Sequence, residues 1–124
     1  MFDDLNKSFR FELDVCATKN NAKCRKFYTK EQNGLIQKWA RRNWMNPPYG
    51  KQIGLWIAVA HAEALKGKLT IALLPARTDT RWFHDYIYKQ YEIRFIKGRL
   101  KFGDSKNPAP FPSMIVIFKP HALE

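Results

Sequence analysis

The sequence predicts an α/β fold that ends in an antiparallel pair of strands. Two runs are almost wholly apolar, Leu69 to Leu74 and Met114 to Phe118, as expected of strands covered on both faces. Before the first of them Ile53, Trp56, Ile57, Ala60 and Ala64 recur at three- and four-residue steps, the stripe of an amphipathic helix. The prolines fall between these elements and not within them, so strands and helices alternate along one chain. At 124 residues, with 45% hydrophobic residues and four Trp, five Tyr and nine Phe, the chain is expected to form one domain with a real core. Disorder is excluded by that aromatic content.

Taken in order, Phe9, Phe11, Leu13 and Val15 alternate with polar residues, which predicts a first strand with Asp14 at its carboxyl end. Residues 19 to 38 are polar and weakly periodic, so they read as irregular, with at most a short helix between Glu31 and Lys38. Trp44 and Met45 form an apolar approach to Asn46-Pro47-Pro48-Tyr49-Gly50, where two prolines remove two backbone donors and end any strand. The striped helix follows and stops at Gly67. After Pro75, Thr78 or Asp79 can cap a second helix carrying Trp82, Phe83, Tyr86, Ile87 and Gln90. Glu92 to Ile96 alternates as a strand, and Gly98 to Phe102 and Met114 to Phe118 supply the closing pair around a Gly103 to Pro112 loop. A full doubly wound domain would need roughly 150 residues, so an abbreviated version is expected.

Charge narrows the partner. The formal net charge is +11, and Lys19 to Lys51 alone holds nine basic residues against Glu31. Interleaved with Phe27, Tyr28, Trp39 and Trp44, this segment suits a phosphate backbone, although it also reads as a solvated face kept for solubility. No run approaches the roughly 20 apolar residues of a membrane span, and the start, MFDDLNKSFR, lacks the apolar core of a signal peptide, so a soluble, intracellular protein is expected. Cys16 and Cys24 have no second pair and no Cys-x-x-Cys spacing, and both read as reduced thiols. His61 and Glu63 lack zinc-site spacing, and His84-Asp85 has no nucleophile in an elbow, so neither a metal nor a hydrolytic triad is expected.

Asn46-Pro47-Pro48-Tyr49 is the most informative tetrapeptide. As a plain Pro-Pro turn it merely ends a strand. Its chemistry, however, matches the needs of an amine conjugated to a ring or carbonyl, whose delocalised lone pair is a poor nucleophile. The Asn46 side-chain oxygen and the Pro47 carbonyl can each accept one N–H of such an amine, freeing the lone pair. Pro48 stiffens the loop, Tyr49 offers a face for stacking worth about 1–3 kcal/mol on a nucleobase, and Gly50 admits close approach.

These residues resemble the phage-type DNA N-6-adenine methyltransferase family. The likeness runs through residues 11 to 18 (FELDVCAT), 21 to 24 (NAKC), 44 to 50 (WMNPPYG), 74 to 80 (LPARTDT), Trp82-Phe83-His84, Gly98-Arg99-Leu100 and 109 to 113 (APFPS). The resemblance implies a Rossmann-like, S-adenosylmethionine-dependent methyltransferase domain that methylates adenine in DNA, as in phages and restriction-modification. It implies catalysis by Asn46, Pro47, Pro48 and Tyr49, and cofactor binding by Asp14, Cys16, Ala17 and Asn21, with Asp14 receiving the cationic ammonium or simply pairing with a nearby Lys. Lys23, Arg25, Lys26, Arg41, Arg42, Arg77 and Asp79 are the expected DNA contacts, although Arg77 and Asp79 also read as a surface pair with a routine cap. The flipped adenine would accept the methyl group directly, with no covalent enzyme intermediate. Two departures stand out: Thr18-Lys19-Asn20-Asn21 replaces the usual glycine-rich turn, and the chain starts at Met1-Phe2-Asp3-Asp4 where fuller members carry a pocket-closing segment. A cytoplasmic phage or prophage protein acting as a monomer is expected. A glutamine methyltransferase needs the same acceptors, and an inactive DNA-binding remnant shares the same basic segment; both readings stay open.

Overall fold

The computed structural model describes residues 1–101 and 107–121. A helix, α1 (Phe2–Phe9), precedes β1 (Leu13–Asp14); β2 (Arg42–Met45), α2 (Ile53–Leu65) and β3 (Leu69–Pro75) form a βαβ unit, and β4 (Glu92–Phe95) and β5 (Ser113–Phe118) complete the sheet. Its order is β1-β2-β3-β5-β4. β1, β2 and β3 are parallel, while β5 enters between β3 and β4 and runs antiparallel to both.

Alternation along the central strands divides the core between the faces. Ala72, Leu74, Met114, Val116 and Phe118 meet Ile53, Trp56, Ile57, Ala60 and Ala64 of α2. Ile71, Leu73, Ile115 and Ile117 meet Trp44 and, through it, Phe2, Leu5, Phe9 and Phe11. Each face is therefore shielded by a helix, which is why the two central strands tolerate apolar residues at every position.

Three sequence expectations are corrected. Phe9 does not begin a strand. Phe2, Leu5 and Phe9 lie three and four residues apart, the helical spacing of one face, and the helix ends where Arg10 adopts a left-handed conformation (φ 51°). Phe11 then packs against Phe2 and Trp44 on one face, whereas Leu13 and Val15 enter the other, so the apparent alternation spans a change of direction. Gly98 to Lys101 is not a strand either, because β5 already has a partner on each edge; Phe102, and Gly103 to Lys106 of the expected loop, lie outside the described residues. Finally, Thr80, not Thr78 or Asp79, caps the segment after β3: its Oγ1 accepts the Phe83 N–H at 3.3 Å, and the segment winds as a π-helical turn over Phe83–Ile87. The irregular stretch 19 to 38 holds a single 3-10 turn, Gly34–Ile36.

Candidate functional site

The carboxyl ends of β1 and β2 open onto a cavity of about 610 Å³. Cys16, Ala17, Thr18 and Asn21 line it from the loop after β1, and Asn46 and Pro48 from the loop after β2. Asn33, Gly34 and Trp56 enclose it from below. A cavity at the carboxyl edge of parallel strands is where open α/β sheets hold ligands, and its volume suits a nucleoside-sized molecule.

The loop after β1 is held by its own polar groups. Asp14 is buried, and its carboxylate accepts the Cys16 N–H at 3.2 Å and the Lys23 N–H at 3.0 Å. It braces the loop whose Cys16, Ala17, Thr18 and Asn21 line the cavity. Burial pushes its pKa above the usual carboxylate value even though those two amides pull it down. In place of a glycine-rich turn, Asn21 Oδ1 accepts the Thr18 N–H at 2.7 Å and Thr18 Oγ1 accepts the Asn21 N–H at 3.2 Å, a reciprocal cap that closes the turn without glycine. Burial, then the Asp14 charge, raises the Cys16 and Cys24 thiols to about 11, so both stay protonated at neutral pH and are poor nucleophiles.

Sequence reading missed the floor. A Cβ at Gly34 would collide with the Val15 carbonyl oxygen and press on the Trp56 ring, so only glycine lets the two segments meet there. Asn33, with φ 56°, turns the chain into that contact and accepts the Leu35 N–H through Oδ1. Asn33-Gly34 was a legible turn signal, but nothing local tied it to β1. Trp56 is 5% exposed, stacks on Trp39 at 6.5 Å, and its indole N–H has no partner among the described residues. Among the described residues Lys30 is the charged one of the lining, and no carboxylate lines the cavity.

Beside the cavity, Pro47 is buried while Pro48 and Tyr49 are exposed, and Gly50 takes φ 123° to lead into α2. Tyr49 meets Phe111 edge to face at 4.8 Å, and the Arg77 guanidinium lies 5.7 Å over the other end of that contact, the Phe111 ring. Loops following β2 and β3 and preceding β5 thus converge on one aromatic cluster. Arg77 rests on Phe111, and no ion pair joins it to Asp79 among the described residues.

Over residues 1–124 the chain matches the family model described as DNA N-6-adenine-methyltransferase (Dam). It belongs to that family. A DNA N-6-adenine-methyltransferase of Haemophilus phage HP1 (strain HP1c1) is 33% identical over 122 residues, covering 93% of this chain and 70% of the relative. One of Escherichia phage T1 is 31% identical over 93 residues, covering 73% of this chain and 39% of the relative.

Within this DNA N-6-adenine-methyltransferase family member, the sheet sorts the expected DNA contacts. Lys23 is anchored at the carboxyl end of β1, and Arg25 and Lys26 lead into Phe27, which bridges Asp14 along the outer side of β1. Arg77 leaves β3 at the same carboxyl edge. Arg41 and Arg42 stand at the opposite edge, where β2 begins. There Arg42 donates to the Arg10 carbonyl at 2.9 Å and lies 3.7 Å from Glu12. Among the described residues no group of three or more His, Cys, Asp or Glu could hold a metal ion, and no helix is long and apolar enough to cross a membrane.

Proposed function

We propose that this chain is an S-adenosylmethionine-dependent DNA adenine-N6 methyltransferase, built on an abbreviated Rossmann-like domain and acting in the cytoplasm of a phage-infected bacterium. The single observation that carries the reading is that Asn46 and Pro48 of the Asn-Pro-Pro-Tyr loop share one cavity with Cys16, Ala17, Thr18 and Asn21. That neighbourhood supports a reading in which Asn46 accepts the amine beside the cofactor.

The residues fit the cofactor. Gly34 lets the loop after β1 close onto the Trp56 ring at the cavity wall, and Thr18, Asn21 and Asn33 supply neutral polar groups. Lys30 would take the methionyl carboxylate. Asp14, whose carboxylate already holds two loop amides, would receive the cationic ammonium directly or through water. Bound there, S-adenosylmethionine supplies a methyl group made electrophilic by its sulfonium.

The chain's own work is alignment. Asn46 Oδ1 and the Pro47 carbonyl accept the two amine protons of an extruded adenine, while Tyr49 stacks on its ring. Fixing the amine on line with the methyl carbon is worth about 7–11 kcal/mol. S-adenosylmethionine held there would supply the methyl group and leave as the neutral sulfide, and the surplus amine proton would pass to water, because the neutral Asn46 amide is a weak base. The protonated Cys16 thiol supplies no covalent nucleophile.

Incubating the chain with methyl-labelled S-adenosylmethionine and DNA containing adenine or cytosine as its sole amino base tests this directly. Label recovered as N6-methyladenine is expected. Label on cytosine, or on a protein glutamine offered in the same assay, overturns the reading, and cofactor binding without transfer to any of them marks an inactive remnant.

A further inference from the structure

The carboxyl edge carries a second row of cations, on the far side of the catalytic loop from Lys23. Pro75 at the end of β3 pairs with Ser113, whose carbonyl accepts the Ile96 N–H at 3.1 Å. Lys97 therefore leaves β4 at the edge where Arg77 leaves β3. Gly98 then turns the chain at φ 80°, which a glycine adopts without strain. Ile96 and Leu100 pack into the lower core, and the Leu100 carbonyl accepts the Ala109 N–H at 2.6 Å. With those two anchored inward, Lys97, Arg99 and Lys101 are left exposed at two-residue intervals. None of the three forms an ion pair with a described residue, whereas Arg42, Lys66, Lys68 and Arg94 are each paired to a Glu.

We infer that Lys97, Arg99 and Lys101 form a phosphate-contacting row that grips the DNA backbone on the flank opposite Lys23, Arg25 and Lys26. The inference rests on the DNA reading above and extends it to a two-sided grip. From β1 to β4 the sheet makes four inter-strand steps, about 19 Å in all at ~4.8 Å each. Phosphates of one strand advance about 3.4 Å per base pair along the axis, so the two rows address positions about five to six base pairs apart, with Asn46 to Tyr49 between them. Held on both flanks, the duplex resists being pushed aside when a base is drawn out of its stack. A row held by apolar anchors at Ile96 and Leu100 also has less freedom to lose on binding than cations scattered for solubility.

The test is fluorescence anisotropy of the full chain on a duplex centred on the methylated adenine, titrated between 50 and 200 mM salt. Lys97→Gln, Arg99→Gln and Lys101→Gln together should lower the slope of log affinity against log salt by about 2.7, at about 0.9 for each phosphate that is no longer neutralised. Arg99→Lys alone, which keeps the charge, should retain the parent slope, and thermal melting of the triple variant should match the parent. Removing five base pairs from one flank should lower the slope of the parent but lower that of the triple variant no further on that flank. An unchanged slope in the folded triple variant overturns the second row while leaving the enzyme reading standing. A parent chain whose DNA binding does not depend on salt overturns both.

Discussion

At the amino edge of the sheet Arg42 lies 3.7 Å from Glu12, and Glu63 sits between Lys66 at 3.7 Å and Lys68 at 3.4 Å. At the carboxyl edge Arg77, Lys97 and Arg99 make no ion pair with any described residue, nor do Arg25 and Lys26 on the outer side of β1. The same contrast holds for the backbone: regular strand starts on one side, and loops closed by Asn33, Gly34 and the Thr18–Asn21 cap on the other. A net charge of +11 is thus not spread evenly. Among the described residues Arg42, Lys66 and Lys68 are paired at the amino edge, while Arg77, Lys97 and Arg99 leave unpaired positive charge over the edge that holds the cavity.

The largest break in this contrast would come at Asn46. Asn46→Ala should lower methyl transfer by about 100-fold or more, the usual cost of deleting one polar group aimed at a reacting centre, with melting and DNA affinity close to the parent. Glu12→Ala at the amino edge should leave turnover unchanged. Comparable losses from the two would mean that the edges are not functionally distinct.

Gly34→Ala comes next, since its Cβ would meet the Val15 carbonyl and the Trp56 ring. A destabilisation of about 2 kcal/mol, or roughly 8 °C in Tm, is expected together with weakened S-adenosylmethionine binding by calorimetry. A variant as stable as the parent with full cofactor affinity would show that the cavity floor is not built on this contact.

Salt dependence sharpens the comparison further. Lys23→Gln with Arg25→Gln should lower the log–log slope of duplex affinity by about 1.8, while Arg41→Gln with Arg42→Gln should not change it. Equal slopes for the two double variants would return Arg41 and Arg42 to the DNA contacts that the charge pattern alone suggested.

The smallest effect belongs to the amino edge. His61 Nδ1 lies 2.7 Å from the Tyr91 hydroxyl, which lies 2.9 Å from His121 Nε2, tying α2 to the segment after β5. Burial, then the His121 charge, lowers the His61 pKa. A depressed folded value means that the unfolded chain takes up the proton first as pH falls. The contribution to stability is therefore present above the unfolded value of about 6.5 and lost below it. Tm should decline modestly from pH 7.5 to 5.5, and less steeply in His61→Gln; an identical decline in both would remove His61 from the cause.

Much of the scaffold was legible because its signals are local. The apolar runs of β3 and β5, the stripe of α2, its stop at Gly67 and the end of β2 at the two prolines each follow from residues that are neighbours in the chain. The Asn46 to Tyr49 loop was legible for the same reason. The alternation from Phe9 to Val15 misled because helix spacing, from Phe2 through Leu5 to Phe9, overlaps strand spacing there, and the choice between them was made by packing on Trp44.

By itself the sequence determined α2, the apolar strands β3 and β5, the Pro47-Pro48 loop and the excess of positive charge, since periodicity, proline and charge act through adjacent residues. Only the tertiary structure decided that Gly34 and Trp56 floor the cavity beneath Cys16 and Asn46, that Asp14 braces a loop, and which cations remain unpaired. Strand order brings residues distant in the chain to one edge, and the pairing of Arg42 with Glu12 depends on two strands lying side by side. Such contacts are set by how the sheet assembles, and no stretch of chain carries that order locally.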